Sequence, residues 1–88
     1  MQIEITKKFR KQVDKINDQK IRSKLYIVIQ EIEKADQLPE IQHLKKIKGH
    51  QSYYRIRMGD YRIGISYEKQ KIILAAFDHR SDIYKYFP

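Results

Sequence analysis

The sequence YYRIRMGDYRIGISY, residues 53–67, has the pattern of a β-hairpin. Apolar residues alternate with others on both sides of Gly59-Asp60, which is the two-residue period of a strand. A two-residue loop at Gly59-Asp60 would place Arg57 opposite Arg62. The apolar sides of the two strands then match, and so do the arginine sides. The stretch therefore predicts an antiparallel hairpin with one apolar face and one basic face.

Two amphipathic helices are predicted ahead of this hairpin. Thr6 can cap the first, and Asn17-Asp18 can cap the second. Each carries apolar residues at the three- and four-residue spacing of one helical face. The first face consists of Phe9, Val13 and Ile16, and the second, running to about Ala35, of Ile21, Leu25, Val28, Ile29 and Ile32.

Strands are expected at both ends of the chain. Residues 1–6 alternate as a short strand, and residues 71–77, KIILAAF, form an apolar run typical of a strand buried on both faces. The order of elements predicts the α+β class. We expect residues 1–88 to form a single domain, in which an N-terminal strand and a helical hairpin pack on a three- to four-stranded antiparallel sheet.

The composition favours a polyanionic partner. Lys and Arg number 19 against 11 acidic residues, a net charge of +8. Such a balance suits nucleic acid, an anionic membrane or an acidic protein, although it also suits simple solubility. There is no cysteine, so disulfides and thiolate metal sites are excluded. No apolar run has the roughly 20 residues of a membrane span, and the polar N-terminus predicts no signal peptide. We expect a cytoplasmic protein.

The basic face of the hairpin carries Arg55, Arg57 and Arg62. Like charges directly opposite each other across strands are destabilising, and no acidic residue of the hairpin shares this face. Gly64, opposite Arg55, predicts a gap that a ligand backbone could approach. Guanidinium groups on a rigid surface suit a phosphate. The alternative is a solvated strand face whose aliphatic stems cover apolar neighbours.

Three residues after the predicted central strand are further candidates. His79 can transfer protons near neutral pH, and Arg80 adds another charge. Tyr84 could stack on a base. Each also has a structural interpretation, because a histidine at a strand end and a tyrosine near a C-terminus often only pack. His43 and His50 receive no role, and no zinc site or other metal site is expected.

The chain resembles the RelE/ParE superfamily of bacterial and archaeal type II toxins. The residues that carry the resemblance are LKKIKGHQSYYRIRMGDYRIGISY (44–67), KIILAAFDHRSDIY (71–84) and the helical hairpin before them. The combination of a YRIRxGDYRI hairpin with a downstream HRxDIY tail is specific, whereas neither half alone is. The resemblance spans essentially the whole chain.

The resemblance implies a RelE-like toxin that is neutralised by a small antitoxin, expected here to be acidic. Toxins of this type cleave mRNA on the ribosome, using the RNA 2′-hydroxyl as nucleophile, without metal or cofactor. The toxin is then either a monomer or part of a toxin–antitoxin hetero-oligomer. By position, the basic site residues of the family fall on Arg55, Arg57, Arg62 and Arg80, and the stacking aromatic falls on Tyr84.

The chain departs from the family pattern at two positions. RelE toxins carry lysines where this chain has Arg55 and Arg57, and arginine effectively cannot act as a base. His79 is then the expected proton-transfer group. The resemblance also leaves two alternatives. One is a ParE-like DNA gyrase inhibitor without nuclease activity, and the other is an inactive remnant that acts only as a co-regulator with its antitoxin.

Overall fold

The computed structural model describes all 88 residues, from Met1 to Pro88, as two helices and a five-stranded sheet. The strands are β1 (Gln2–Ile5), β2 (Leu44–Lys46), β3 (Tyr53–Met58), β4 (Tyr61–Glu68) and β5 (Lys71–His79). The helices are α1 (Lys7–Asp14) and α2 (Gln19–Lys34), and short 3₁₀ turns occupy Leu38–Glu40 and Ile83–Lys85. No helix is long and apolar enough to cross a bilayer.

The sheet has the strand order β1-β5-β4-β3-β2. The α+β class is confirmed, and β2 to β5 form the predicted antiparallel sheet with four strands; the N-terminal strand extends this sheet to five strands. β1 joins the edge of the sheet parallel to β5, with Ile3 opposite Ile72. This parallel pairing is possible because a long connection, which includes both helices and strands β2 to β4, separates β1 from β5 in the chain. At the other edge of the sheet, β2 pairs with β3 in the antiparallel direction.

Both predicted helix caps are present. The Thr6 hydroxyl oxygen accepts a hydrogen bond from the Phe9 amide at 3.1 Å, and the Asp18 carboxylate accepts one from the Lys20 amide at 2.9 Å. These bonds satisfy amides that the first turn of a helix would otherwise leave without a partner. The caps therefore fix where α1 and α2 begin.

The hairpin register is as predicted. Arg57 lies opposite Arg62, and Arg55 lies opposite Gly64. The turn is made possible by Gly59, whose φ is 60°. Glycine adopts this left-handed backbone at little cost, and a glycine at the first loop position is the pattern of a type II′ hairpin.

The helices cover one face of the sheet. Phe9, Leu25 and Ile32 pack there against a continuous set of strand residues that are buried almost completely: Ile56, Ile63, Ile65, Ile72, Leu74 and Phe77. This layer is the main hydrophobic core, and β5 contributes to it along most of its length.

The opposite face is partly covered by the C-terminal tail, which we define as residues 80–88. Ile83 and Phe87 pack on Ala76 of β5 and form a second small cluster. Burial of Ala76 on this face and Leu74 on the other confirms that β5 is buried on both sides. The predicted gap at Gly64 is not open: an added Cβ there would lie 2.6 Å from two atoms of the Phe87 ring. Gly64 therefore makes room for the tail and not for a ligand.

Candidate functional site

An open groove lies between α2 and the tip of the β3–β4 hairpin, and we call it the basic groove. It encloses about 700 Å³. The helix contributes one wall, the hairpin contributes the other, and the start of the tail closes one end. Its lining residues are Lys24, Ile27, Val28, His43, Arg57, Met58, Gly59, Asp60, Arg62 and Arg80. Four cationic side chains thus converge around a small apolar patch.

Two of the predicted hairpin arginines line this groove, and neither forms an ion pair. The Arg62 guanidinium donates to the carbonyl oxygens of Gly59 at 2.8 Å and Tyr61 at 2.9 Å. Arg57 is exposed and makes no side-chain hydrogen bond within the protein. The two adjacent charges repel each other, and the N–H donors of Arg57 and the remaining ones of Arg62 are free for an anion.

Asp78 lies directly opposite Arg62 in the pairing of β4 with β5, so its carboxylate is a possible partner for the Arg62 charge. Its carboxylate is engaged elsewhere. It accepts hydrogen bonds from the Tyr86 hydroxyl at 3.0 Å and from the His79 amide at 2.8 Å. The neighbouring strand therefore leaves the Arg62 charge uncompensated.

Arg55 lies outside the groove lining. It is half-buried, and its guanidinium donates to the carbonyl oxygen of His43 at 3.3 Å. This contact links β3 to the loop that precedes β2. Of the three hairpin arginines, Arg55 alone does not line the groove.

Arg80 reaches the groove through the hairpin turn. Its amide donates to the Asp60 carbonyl at 2.8 Å, and its guanidinium lies 3.7 Å from the Asp60 carboxylate. Both side chains are more than half exposed, so an ion pair of this kind contributes at most about 1 kcal/mol. The backbone hydrogen bond positions Arg80. Its guanidinium can leave the Asp60 carboxylate and bind a phosphate instead.

His79 is not among the residues that line the groove. It pairs across the sheet with Tyr61, so the two side chains share a face, and their rings meet edge to face with centroids 5.7 Å apart. The imidazole Nδ1 lies 2.8 Å from the Ser81 hydroxyl and accepts a hydrogen bond from the Ser81 amide at 3.1 Å. Through these contacts His79 fixes the conformation of the first residues of the tail.

Tyr84 is 50% exposed on the 3₁₀ turn of the tail. The turn is held by Ile83, which is fully buried beneath it. The Tyr84 ring makes no aromatic contact or hydrogen bond within the protein and does not line the groove. It is therefore an exposed aromatic surface on an anchored support.

Tyr86 anchors the tail to the helical layer. Its hydroxyl is hydrogen-bonded by the Gln12 side chain and donates to Asp78 at 3.0 Å, and the Lys8 ammonium lies 3.9 Å from the ring centroid. Burial, together with the nearby carboxylate of Asp78, raises the pKa of the Tyr86 phenol from 10.0 to about 12. The Gln12 side-chain oxygen also accepts a hydrogen bond from the Phe77 amide at 2.9 Å. Phe77 lies in the part of β5 that β1 does not reach.

Sequence reasoning missed the contributions of α2 and of the loop before β2. Ile27 is 52% exposed although it lies in the run LYIVI, which has more apolar residues than one helical face can bury. The excess of apolar residues in this run indicated that one of them would be exposed and form an apolar patch on the helix. His43 had no such signal, because it lies in an irregular loop. No cluster of three or more His, Asp or Glu side chains in the chain is arranged to hold a metal ion.

Comparison with known proteins assigns the chain to a family. A sequence model described as the ParE toxin of the type II toxin–antitoxin system parDE matches residues 3–84. Toxin RelE3 of Methanocaldococcus jannaschii is 44% identical over 69 residues, which cover 77% of this chain and 78% of that protein.

Solved structures share the fold. A chain of the RelB–RelE antitoxin–toxin complex from Methanococcus jannaschii superposes with a TM-score of 0.80 at 37% identity, covering 97% of this chain and 99% of that one. A chain of the RelBE2 toxin–antitoxin complex from Mycobacterium tuberculosis gives 0.60 at 17% identity, with 90% and 96% covered, which is a likeness of fold. The protein therefore belongs to the RelE/ParE superfamily of toxins from type II toxin–antitoxin systems.

Proposed function

We propose that this toxin is an endoribonuclease that cleaves mRNA on the ribosome and so inhibits translation. The observation that carries the proposal is the basic groove, where Arg57, Arg62 and Arg80 converge without a buried carboxylate to neutralise them. The RelE name of the curated relative at 44% identity adds to it.

The proposed reaction is an internal transfer of the phosphodiester. The RNA 2′-oxygen bonds to the adjacent phosphorus, the bond from phosphorus to the 5′-oxygen breaks, and the products are a 2′,3′-cyclic phosphate and a 5′-hydroxyl. Negative charge accumulates on the phosphorane oxygens in the transition state. Donors already oriented toward that position accelerate such a step by about 10²- to 10³-fold each. Arg57 and Arg62 on the rigid hairpin are suited to this role.

Tyr84 and Arg80 are proposed to hold the RNA. A single-stranded base that leaves its stack is commonly bound by an aromatic face, and Tyr84 offers an exposed one. Arg80 can contact a phosphate at the end of the groove that the tail borders. The lysines of the two helices extend the positive surface toward ribosomal RNA.

The proposed partner in the resting state is a cognate antitoxin. Two of the structural relatives are chains of antitoxin–toxin complexes. Exposed Ile27 beside Lys24 and Arg57 suits an amphipathic segment with acidic side chains that folds on contact. Binding should weaken as salt is raised. A complex in which the antitoxin touches neither the groove nor the helices would contradict this part of the proposal.

A second candidate function is inhibition of DNA gyrase. It is favoured by the family description of the matching sequence model, which names ParE. In that case the basic surface would dock on gyrase or its DNA, and no RNA would be cut. The groove geometry gives no separate reason for a gyrase contact.

Mapping of mRNA 5′ ends after induction separates the two functions. A nuclease produces new 5′-hydroxyl ends within coding regions in minutes, and the double variant Arg57→Ala/Arg62→Ala does not. In parallel, purified toxin is added to a gyrase supercoiling assay. Inhibited supercoiling with no new mRNA ends would replace the nuclease proposal by the gyrase one.

A further inference from the structure

The three histidines of the chain occupy different environments. His79 contacts Ser81 and Tyr61, as described above, and His50 lies edge to face with Tyr53, with centroids 5.5 Å apart. Of the three, only His43 lines the basic groove. Its imidazole forms no hydrogen bond within the protein, although its carbonyl oxygen does.

The backbone holds His43 in an uncommon conformation. Its φ is 64°, in the left-handed region that residues other than glycine seldom adopt. Two hydrogen bonds stabilise this position: the His43 carbonyl accepts from the Arg57 amide at 3.2 Å and from the Arg55 guanidinium at 3.3 Å. The strained residue is thus tied directly to the arginine-bearing strand.

Apart from His43, the groove contains one side chain that can accept a proton, the Asp60 carboxylate. The charged side chains that share it with His43 are Lys24 from α2, Arg57, Asp60 and Arg62 from the hairpin, and Arg80 from the tail. The guanidinium and ammonium groups are donors only. Asp60 is the one carboxylate, and it lies beside the Arg80 guanidinium. Cleavage by the 2′-hydroxyl requires a group that takes its proton.

We infer that His43 is the general base of the cleavage reaction. This rests on the proposed nuclease function and goes beyond it by naming the residue. The neutral imidazole takes the proton of the 2′-hydroxyl while the 2′-oxygen bonds to phosphorus. The electron pair of the broken P–O bond remains on the 5′-oxygen, which takes a proton from water. His43 then returns its own proton to solvent. The arginines stabilise the phosphorane between these steps.

The test is single-turnover cleavage on ribosomes carrying a defined mRNA, with purified toxin variants. His43→Asn keeps a residue that tolerates the left-handed backbone, and His43→Gly removes the strain altogether. We expect either change to lower the cleavage rate by about 10²- to 10⁴-fold while ribosome binding changes little. Free imidazole should partly restore cleavage by His43→Gly, because the small base can enter the vacated space. His50→Gln is the matched control and should leave the rate unchanged.

The pH profile gives an independent readout. The parent rate should rise with pH along a limb that His43→Asn lacks, because a general base acts only in its deprotonated form. An unchanged rate in His43→Asn overturns the inference, as does a loss that imidazole cannot restore and that leaves the pH profile intact. A loss seen instead in His79→Gln or Asp60→Asn assigns the base to that residue. If the parent itself cuts no RNA, the proposed function fails with it.

Discussion

The contact between Gly64 and Phe87 makes the substitution Gly64→Ala a sharp test of how the tail is held. A Cβ at position 64 would lie 2.6, 2.6 and 2.9 Å from three carbons of the Phe87 ring, where ordinary contact needs about 3.5–4.0 Å. The ring is 8% exposed and packs on Ala76 and Ile83, so it must either shift within this cluster or leave it.

The expected cost follows from two opposing terms. Overpacking of a filled site costs about 1–3 kcal/mol, whereas alanine in a strand is favoured over glycine by about 0.5–1 kcal/mol. The net loss should be about 1–2 kcal/mol in the free energy of unfolding. For a chain of this size that lowers Tm by about 5–10 °C.

The assay is urea denaturation of the two single variants, Gly64→Ala and Phe87→Ala, and of the double variant. In the Phe87→Ala background the ring is absent, so Gly64→Ala should be neutral or stabilising by up to about 1 kcal/mol. The coupling energy between the two sites should then be about 2 kcal/mol. Equal destabilisation of both backgrounds would refute the claim that Gly64 is there to accommodate Phe87.

Three further predictions concern the groove and the tail. Arg62→Ala and Arg80→Ala should each abolish growth arrest in a folded protein, because loss of a transition-state donor costs about 10²-fold or more; full toxicity of both would exclude a phosphate role. Tyr84→Ala should weaken binding of the RNA substrate by about 1–3 kcal/mol while Tyr84→Phe should not, measured by filter binding, since the ring face does the stacking; equal losses would point to the hydroxyl. Because the pKa of the Tyr86 phenol is raised from 10.0 to about 12, its contribution to stability is complete below pH 10 and is lost as the pH rises toward 12. Tyr86→Phe should therefore show a shallower loss of stability over that interval in urea denaturation, and identical slopes would contradict the shift.

Local features of the fold were predictable because neighbouring residues determine them. The register of Arg57 with Arg62 follows from a two-residue turn and the alternation around it. The caps at Thr6 and Asp18 follow from side chains that compete with the backbone for amides. Such interactions involve residues that are close in sequence, so a short stretch of sequence is enough to predict them.

The features that were missed depend on partners distant in sequence. β2 has three residues and only one apolar side chain, too few for a periodic signal. β1 was recognisable as a strand, but its pairing with β5 was not, because either edge of the sheet would have accepted it. Gly64 looked like a gap because its neighbour, Phe87, comes from the tail.

The candidate site was predictable in its charges and not in its geometry. Arg57, Arg62 and Arg80 do meet in one groove. His79 was expected beside them because it adjoins Arg80 in sequence, yet alternation along β5 directs it toward Tyr61. His43 reaches the groove through a loop with positive φ, and the chain carries no local pattern that predicts such a bend.

The pairing of β1 with β5 has a consequence for the synthesis of the protein. The Thr6 hydroxyl donates to the carbonyl oxygen of Leu74, 68 residues later in the chain, and β5 lies between β1 and β4 in the sheet. During translation the N-terminal strand has no partner until nearly the whole polypeptide has been made. Contacts of this range also slow folding, because a long loop must close before they form. A polypeptide released before residue 71 lacks β5, and β1 then has no neighbouring strand with which to pair.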